Sequence, residues 1–150
     1  MFLFEKEPNL NFTFNFLQHT LFGEIFNRKV SGIHHKNYIN SDHIKIEKIV
    51  QGPDKNGIYE VLLKKRDYRF DENKNIKEWK EKKEKSTFFP DVWDENILYN
   101  ECFHAFINKK KVSQNKTTIK WASHTISGIK VEIFTDKMGK LITIYPILTK

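Results

Sequence analysis

The chain has 150 residues, of which 39% are hydrophobic, 14% are aromatic and 30% are charged. This length suits one domain with a packed core, and the mean hydropathy of −0.61 favours a soluble globule. Apolar membrane-spanning helices are excluded, because no apolar run approaches the roughly 18 residues that such a helix needs. The formal charge of +7 predicts attraction to polyanions such as nucleic acid.

The N-terminal residues and the cysteine content limit the expected export signals and cofactors. Residues 1–4 are apolar, but Glu5 and Lys6 follow at once, so this start lacks the long apolar centre of a secretory signal. Cys102 is the only cysteine, which excludes an internal disulfide, and no cysteine and histidine set has zinc spacing. We therefore expect no signal peptide in this chain, no metal, no cofactor, and a core position for Cys102.

The first 18 residues are rich in phenylalanine. Residues 11–16 alternate a polar residue with a phenylalanine, and this period of two predicts a strand. A short helix that pairs Phe12 with Phe16 is the alternative. In either case the segment delivers His19 at its end, and residues 27–29 then form a polar loop.

Residues 44–63 predict a β-hairpin. The apolar and polar residues of 44–50 alternate with one break in register, which indicates a bulge. Residues 51–57 contain the clearest turn signals in the chain, and 58–63 return as a second strand. We expect this hairpin to have a structural role.

Residues 64–85 carry ten lysines or arginines against six acidic residues. This pattern predicts the tip of a hairpin with its turn at 71–75, attached by Tyr68, Phe70 and Trp79. Basic residues interleaved with aromatic ones suit single-stranded RNA, whose bases can stack. A solvated extension is the alternative.

The last part of the chain predicts a helix followed by a sheet. Asp91 or Asp94 offers an N-cap for a helix whose apolar stripe includes Cys102, with Lys109–Lys111 at its C-terminal end and His104 off the stripe. Residues 117–122, 129–134 and 141–145 are rich in β-formers and predict antiparallel strands, with His124 in a loop between the first two.

Two histidine segments stand out, residues 19–24 and 32–36, with His19 and His34 fifteen positions apart. Histidine titrates near neutrality, so two in one cleft can divide the work of a general base and a general acid. Metal-free RNA cleavage needs this pair and a cation for the phosphorane. Gly32 would allow the backbone to approach a phosphate closely.

Three ordered blocks carry a resemblance to a known family. The first is His19-x3-Gly-Glu followed by Gly-x-His34, the second is Ser-Thr-Phe-Phe-Pro-Asp-Val-Trp at 86–93, and the third is Thr-Ile-Tyr-Pro at 143–146. Together they resemble the bacterial EndoU-type endoribonucleases, in the motif blocks 19–36, 85–93 and 141–146. The resemblance implies one α+β domain over residues 1–150, of the RNase A-like superfamily, with antiparallel sheets and one or a few helices.

The resemblance also implies a catalytic set. His34 matches the general base, His19 the general acid, and Lys85 the cation that stabilises the phosphorane. The two histidine labels are interchangeable at this point, and Lys83 and Lys36 remain alternatives to Lys85. Such an enzyme is metal-independent and leaves a 2′,3′-cyclic phosphate and a 5′-hydroxyl.

Substrate-binding residues follow from the same blocks. Thr143 and Tyr145 share one face of a strand and would read and stack on a base. Lys36 and His35 are further candidates for contact with substrate. If the segment is extended, His35 points away from His34 and supports or packs instead.

The family relationship implies a biological setting. Similar domains form the C-terminal ends of polymorphic toxins and of contact-dependent growth inhibition toxins. We therefore expect RNA, including transfer RNA anticodon loops or uridine sites, as substrate, and a cognate acidic immunity protein as partner. A monomer without membrane contact, delivered within a larger toxin into the target-cell cytoplasm, is expected.

Two other functions remain open from the sequence. A histidine-metal nuclease would use His34 and His35 as ligand and base. A non-catalytic RNA-binding module would explain the charge and the aromatic residues alone.

Overall fold

The computed structural model describes residues 7–26, 29–36, 43–67 and 78–149, and within them the chain has the α+β fold expected from the sequence. The elements are α1 (Glu7–Leu17), a π-helical turn (Gln18–Phe22), β1 (Glu24–Phe26), β2 (Lys29–Ser31), β3 (Ile44–Gln51), β4 (Tyr59–Asp67), β5 (Glu78–Glu81), β6 (Ser86–Phe88), α2 (Glu95–Ile107), β7 (Lys110–Gln114), β8 (Thr118–His124), β9 (Lys130–Asp136) and β10 (Leu141–Pro146).

Two antiparallel sheets dominate the described residues. The N-terminal sheet has the order β3-β4-β5, and β6 also pairs with β4. The C-terminal sheet has the order β10-β9-β8-β7, and β1 and β2 form a separate pair. No helix in these described ranges is long and apolar enough to cross a membrane.

The hairpin expected at 44–63 is confirmed. β3 and β4 pair antiparallel, and their register shifts between Ile46 and Lys48, where the sequence pattern indicates a bulge. The Asp54 carboxylate closes the turn, since it accepts backbone hydrogen bonds from Asn56 at 2.8 Å and from Ile58 at 2.9 Å. A turn held by its own side chain fixes the register of both strands.

The strand predicted for residues 11–16 is wrong, and the helical alternative is correct. Phe12 and Phe16, four residues apart on α1, stack with ring centroids 5.4 Å apart, and both also contact Tyr99 of α2. Phe14 points away and is 70% exposed. Positions i and i+4 share one face of a helix. A sequence of alternating phenylalanines is therefore compatible with a helix as well as a strand, provided that only every second phenylalanine is buried.

Helix α2 begins at its predicted N-cap, because the Asp94 carboxylate accepts a hydrogen bond of 2.8 Å from the backbone of Ile97. Cys102 is fully buried in the core, as expected. Of the lysines expected at the end of this helix, Lys109 is there, since its ammonium donates to the Phe106 carbonyl at 3.1 Å. Lys110 and Lys111 instead begin β7. His124 is not a loop residue but the last residue of β8.

Part of the charged segment lies outside the described residues. This includes the turn expected at 71–75, with Tyr68 and Phe70, and the same holds for positions 27 and 28 of the polar loop. Trp79 lies in β5, and the Lys45 ammonium sits 4.4 Å from the centre of its ring. This cation–π contact joins the outer strands of the N-terminal sheet.

The buried side chains form two cores. The larger core lies between α1, α2 and the C-terminal sheet, and the smaller one lies among β2, β3, β4 and β6. Where the two halves meet, β10 contacts both β6 and the π-helical turn. This junction brings together residues from distant parts of the chain, and both histidine segments lie there.

Candidate active site

Backbone hydrogen bonds align the two histidine segments. The amide of Ile33 donates to the carbonyl of His19 at 2.8 Å, and the amide of His34 donates to the carbonyl of Thr20 at 2.7 Å. A Cβ at Gly32 would lie 2.3 Å from the His19 carbonyl oxygen. Gly32 is therefore required for the approach of one histidine segment to the other.

The backbone beside His34 is strained. Ile33 has a φ of 68°, a left-handed conformation that a β-branched residue rarely adopts. Its amide is held by His19, and its carbonyl accepts a hydrogen bond of 2.7 Å from the Ser86 hydroxyl. The surrounding contacts hold a conformation that the residue alone would not favour.

His19 and His34 face one cavity of about 500 Å³, which we call the histidine cavity. Their ring centroids are 5.8 Å apart, and the two residues are largely buried, with 9% and 6% exposure. Two imidazoles at this separation can contact opposite sides of one phosphodiester. The pairing expected from the sequence spacing is therefore present in the fold.

Each ring is fixed through its Nδ1 atom. The Nδ1 of His19 lies 2.9 Å and 3.1 Å from the two carboxylate oxygens of Glu24. The Nδ1 of His34 lies 2.9 Å from the carbonyl oxygen of Thr87, which can only accept, so this nitrogen carries a proton. The Nε2 atom of each ring remains for chemistry in the cavity.

The electrostatic environments of the two histidines differ. Burial, together with the charges of Lys82 and His19, lowers the pKa of His34 well below its usual range, so the ring is neutral at neutral pH. Burial alone would raise the pKa of Glu24, but hydrogen bonds and charge from His19 and a hydrogen bond from Ser31 bring it below its ordinary value. His19 is therefore bonded to an anion, whereas the Nδ1 partner of His34 is a neutral carbonyl.

A lysine that sequence reasoning missed is part of this cavity. Lys82 is 8% exposed, and its ammonium donates to the Gly32 carbonyl at 2.8 Å and to the Ser86 hydroxyl at 2.6 Å. Burial lowers its pKa to about 8, despite the nearby carboxylates of Glu84 and Glu24. A buried ammonium fixed at two points has one N–H donor left for another acceptor.

The lysines named from the sequence have different positions. Lys85 lines the histidine cavity, but its side chain is 53% exposed and its ammonium lies 4.0 Å from a Glu60 carboxylate oxygen. Lys83 is exposed and is not among the described residues that line the cavity. Lys82 to Lys85 lie in a bend between β5 and β6 and not in a strand, so Lys83 and Lys85 do not share a strand face.

Strand β10 forms the opposite wall of the histidine cavity, through Thr143 and Tyr145. The Tyr145 ring lies 5.6 Å from the His34 ring, and its hydroxyl donates to Glu132 at 3.1 Å. Burial and the Glu132 carboxylate raise the pKa of Tyr145 to about 12, so the phenol stays neutral. The buried Thr143 hydroxyl has no hydrogen-bond partner among the described residues.

Residues 15–148 of the chain match the family model described as bacterial EndoU nuclease. The chain belongs to this family. The match spans all three blocks on which the sequence resemblance rests, and that resemblance is confirmed. No curated protein and no solved structure matches the chain. Membership makes this EndoU chain a nuclease, and the histidine cavity is its candidate active site.

Two of the expected substrate contacts of this EndoU nuclease lie away from the cavity. His35 is 1% exposed, and its Nε2 lies 2.8 Å from the Trp93 carbonyl oxygen. Lys36 extends toward Asp91, with 3.9 Å between ammonium and carboxylate. Neither is among the described residues lining the histidine cavity. His35 therefore has the packing position that alternation indicates, whereas Lys36 is exposed outside the cavity and its contact with substrate stays a prediction.

The described residues of this EndoU nuclease include no group of three or more histidine, cysteine, aspartate or glutamate side chains arranged to hold a metal ion. His34 and His35 in particular are directed to different carbonyl groups, those of Thr87 and Trp93. They do not form a shared pair of ligands in this arrangement.

Proposed function

We propose that the protein is a metal-independent endoribonuclease that cleaves RNA by transesterification. The observation that carries this proposal is the pair His19 and His34, 5.8 Å apart in one cavity and in opposite electrostatic environments. A neutral ring beside a ring with an anionic partner is the arrangement that a base and an acid require. The products are a 2′,3′-cyclic phosphate and a 5′-hydroxyl.

His34 acts as the general base. Its Nε2 is unprotonated because Nδ1 donates to the Thr87 carbonyl. This nitrogen takes the proton of the ribose 2′-hydroxyl as O2′ forms a bond to the adjacent phosphorus. The lowered pKa of His34 keeps the base available at neutral pH and below.

His19 acts as the general acid. As the P–O5′ bond breaks, Nε2 of His19 gives a proton to the leaving 5′-oxygen. The Glu24 carboxylate at Nδ1 orients the ring and compensates its positive charge, as an acidic partner does for other catalytic histidines. The contrast between the two environments supports this assignment over the exchanged one.

We place Lys82, rather than Lys85, beside the phosphorane. Lys82 is held by Gly32 and Ser86 next to His34, so it can stabilise developing charge without reorganisation. Lys85, at the exposed edge of the cavity, is suited to attracting the RNA backbone. The sequence expectation for Lys85 thus becomes a binding role in this proposal.

Thr143 and Tyr145 hold the nucleoside whose 2′-hydroxyl attacks. The Tyr145 ring, close to His34, offers a face for stacking on a base or ribose. The unpartnered Thr143 hydroxyl can donate to or accept from a base edge. Uridine sites or transfer RNA anticodon loops are the proposed targets, on the strength of the family resemblance.

We also propose the biological setting that the resemblance implies. The domain acts as a toxin in bacterial competition, delivered into a target cell as part of a larger protein, and an acidic immunity protein covers its basic surface in the producing cell. The net charge of +7 supports an acidic inhibitor. Co-purification of the domain with neighbouring gene products tests this partner.

The deciding experiment is cleavage of RNA by the purified protein, followed by mapping of the product ends. His19→Ala and His34→Ala are each expected to lower kcat/KM by about 100-fold to 10,000-fold, the contribution of a general acid or base. His104→Ala, which changes an exposed histidine on α2, is the matched control.

Four results would contradict the proposal. Activity retained in either cavity variant removes the histidine pair from catalysis. Cleavage abolished by EDTA favours a histidine-metal nuclease, and binding of intact RNA without cleavage favours an RNA-binding module. Products without a cyclic phosphate indicate a hydrolytic route instead of transesterification.

A further inference from the structure

A second cavity of about 430 Å³, which we call the side cavity, adjoins the histidine cavity. Both cavities are lined by His19, Ser31 and Ile142. Asn15 of α1 and Ile25 of β1 line only the side cavity, whereas His34 and Tyr145 line only the histidine cavity. His19 therefore stands between two spaces, each within the roughly 300–1,000 Å³ range of small-molecule sites.

The lining of the side cavity suits a nucleoside rather than a phosphate. Ile25, Leu141 and Ile142 provide an apolar surface, and Ile142 is 40% exposed, so its side chain is open to contact. Asn15 and Glu24 add amide and carboxylate groups. No lysine or arginine is among the described residues that line it, whereas Lys82 and Lys85 both line the histidine cavity.

We propose that the side cavity receives the nucleoside on the 3′ side of the cut, so that the RNA strand runs from Tyr145, past His34 and His19, to Asn15. This inference rests on the proposed function. It adds a binding subsite and a strand direction that the histidine pair alone does not define.

The direction follows from where the two protons are transferred. The nucleoside that supplies the 2′-hydroxyl must lie next to the base, His34, which shares its cavity with Thr143 and Tyr145. The leaving 5′-oxygen must lie next to the acid, His19, and the nucleoside attached to this oxygen continues beyond that ring. The side cavity is the space beyond His19, and Ile142 offers an apolar contact on its border.

A substitution at Asn15 can fill the side cavity without changing a proposed catalytic residue. It is half-buried on α1, and its side-chain amide donates to the Leu141 carbonyl at 3.2 Å. Asn15→Phe places a ring in the cavity. Asn15→Ala loses the same hydrogen bond but leaves the space open, and Phe14→Trp enlarges an exposed neighbour on the same helix.

Two substrates separate the subsite from the chemistry. A dinucleoside monophosphate has a nucleoside as its leaving group. A nucleoside 3′-(methyl phosphate) undergoes the same attack by O2′, breaks its P–O bond to methyl, and releases methanol with the proton from His19. Each of the four nucleosides is used in turn at the 5′ position, because the preferred base is unidentified.

We expect Asn15→Phe to lower the ratio of kcat/KM for the dinucleotide to that for the methyl ester by about tenfold or more, the effect of losing one stacked base. Asn15→Ala is expected to change this ratio less than Asn15→Phe, and Phe14→Trp is expected to leave it unchanged. Equal loss on both substrates, or no loss on either, would overturn the proposal.

A binding measurement keeps the subsite distinguishable from catalysis. An uncleavable 2′-deoxy oligonucleotide with a spin label at its 3′ end is expected to broaden the side-chain amide signals of Asn15 more than the ring signals of Tyr145. A label at the 5′ end is expected to reverse this order. The opposite pattern would refute the strand direction, even if the protein cleaves RNA. The expected pattern in a protein that cleaves no RNA would refute only the catalytic function.

Discussion

Lys82 is the residue in which stability and proposed function conflict. A buried ammonium has lost solvation that its two hydrogen bonds, to Gly32 and Ser86, only partly replace, and its lowered pKa reflects this cost. The Ser86 hydroxyl also bonds to both neighbouring carbonyls, of Gly32 at 3.2 Å and of Ile33 at 2.7 Å. Because this hydroxyl has one proton, removal of the lysine leaves the Ile33 carbonyl with its short hydrogen bond and the Gly32 carbonyl with only the longer, shared contact.

Lys82→Met is expected to raise the free energy of unfolding at pH 7 by on the order of 1–3 kcal/mol while lowering kcat/KM by about 100-fold. The folded pKa of Lys82 is about 8, below its ordinary value of 10.5, so the unfolded chain binds more protons between these values. The free energy of unfolding of the wild type therefore rises relative to that of the variant as the pH increases from about 8 to 10.5, and the difference between them shrinks. Urea unfolding at pH 7 and at pH 10.5 measures both effects.

Lys83→Met is the matched control, because Lys83 is exposed and adjacent in sequence. It should change neither stability nor activity appreciably. An unstable Lys82→Met variant at pH 7 would show that the lysine stabilises the fold. Full activity in this variant would show that Lys82 does not stabilise the phosphorane, and Lys85 would again be the candidate for that role.

The dependence of kcat/KM on pH should be bell-shaped. On the acidic side, activity falls as His34 gains a proton, and its lowered pKa places this limb below pH 6.5. On the alkaline side, activity begins to fall at about pH 8 or below, because Lys82 loses its charge near this pH. Initial rates at subsaturating RNA measure the profile. An acidic limb above pH 6.5, or full activity at pH 10, would contradict the assigned environments.

At the scale of elements, α1 sets the position of His19, because the π-helical turn continues directly from it. Phe12→Ala is expected to destabilise the protein by about 3–5 kcal/mol, since it removes a fully buried ring from between α1 and α2. Phe14→Ala removes an exposed ring of the same helix and should have little effect. Thermal unfolding compares the two, and similar losses would contradict the helical packing.

The predictability of each element depended on whether its signals were local. The hairpin at 44–63 and helix α2 were predictable because Asp54 and Asp94 make hydrogen bonds within their own turn and cap. Helix α1 was not, because the sequence does not reveal which phenylalanines are buried. Strand β7 is exposed at every position and pairs with β8, so no apolar alternation marks it.

The candidate site was predictable to a similar degree. His19 and His34 were found by motif spacing, and Thr143 and Tyr145 by their block at the end of the chain. Lys82 was missed, since it occupies a bend where neither period two nor a motif applies. Its role depends on the distant Gly32 and on Ser86, contacts that only the folded chain creates.

At the scale of the whole molecule, the proposed function implies that the charge of +7 acts on the encounter with RNA more than on chemistry. We expect kcat/KM on long RNA to fall steeply between low and high potassium chloride, because bound lysines release counterions from the phosphates. The rate on a dinucleotide, which contacts few of these lysines, should fall less. Equal salt dependence for both substrates would show that the salt effect on kcat/KM arises from charges in the histidine cavity and not from lysines on the surface.

The histidine cavity takes its walls from opposite ends of the chain, with His19 near the start and Tyr145 near the finish. A nascent polypeptide that has just emerged through β9 already contains both imidazoles and Lys82, but it lacks the strand that closes the cavity. The contacts that hold Ile33 in its strained conformation also come from separate segments, His19 and Ser86. We therefore expect ribosome-bound fragments that stop before β10 to be inert, because the histidine cavity lacks Thr143 and Tyr145 until that strand is made.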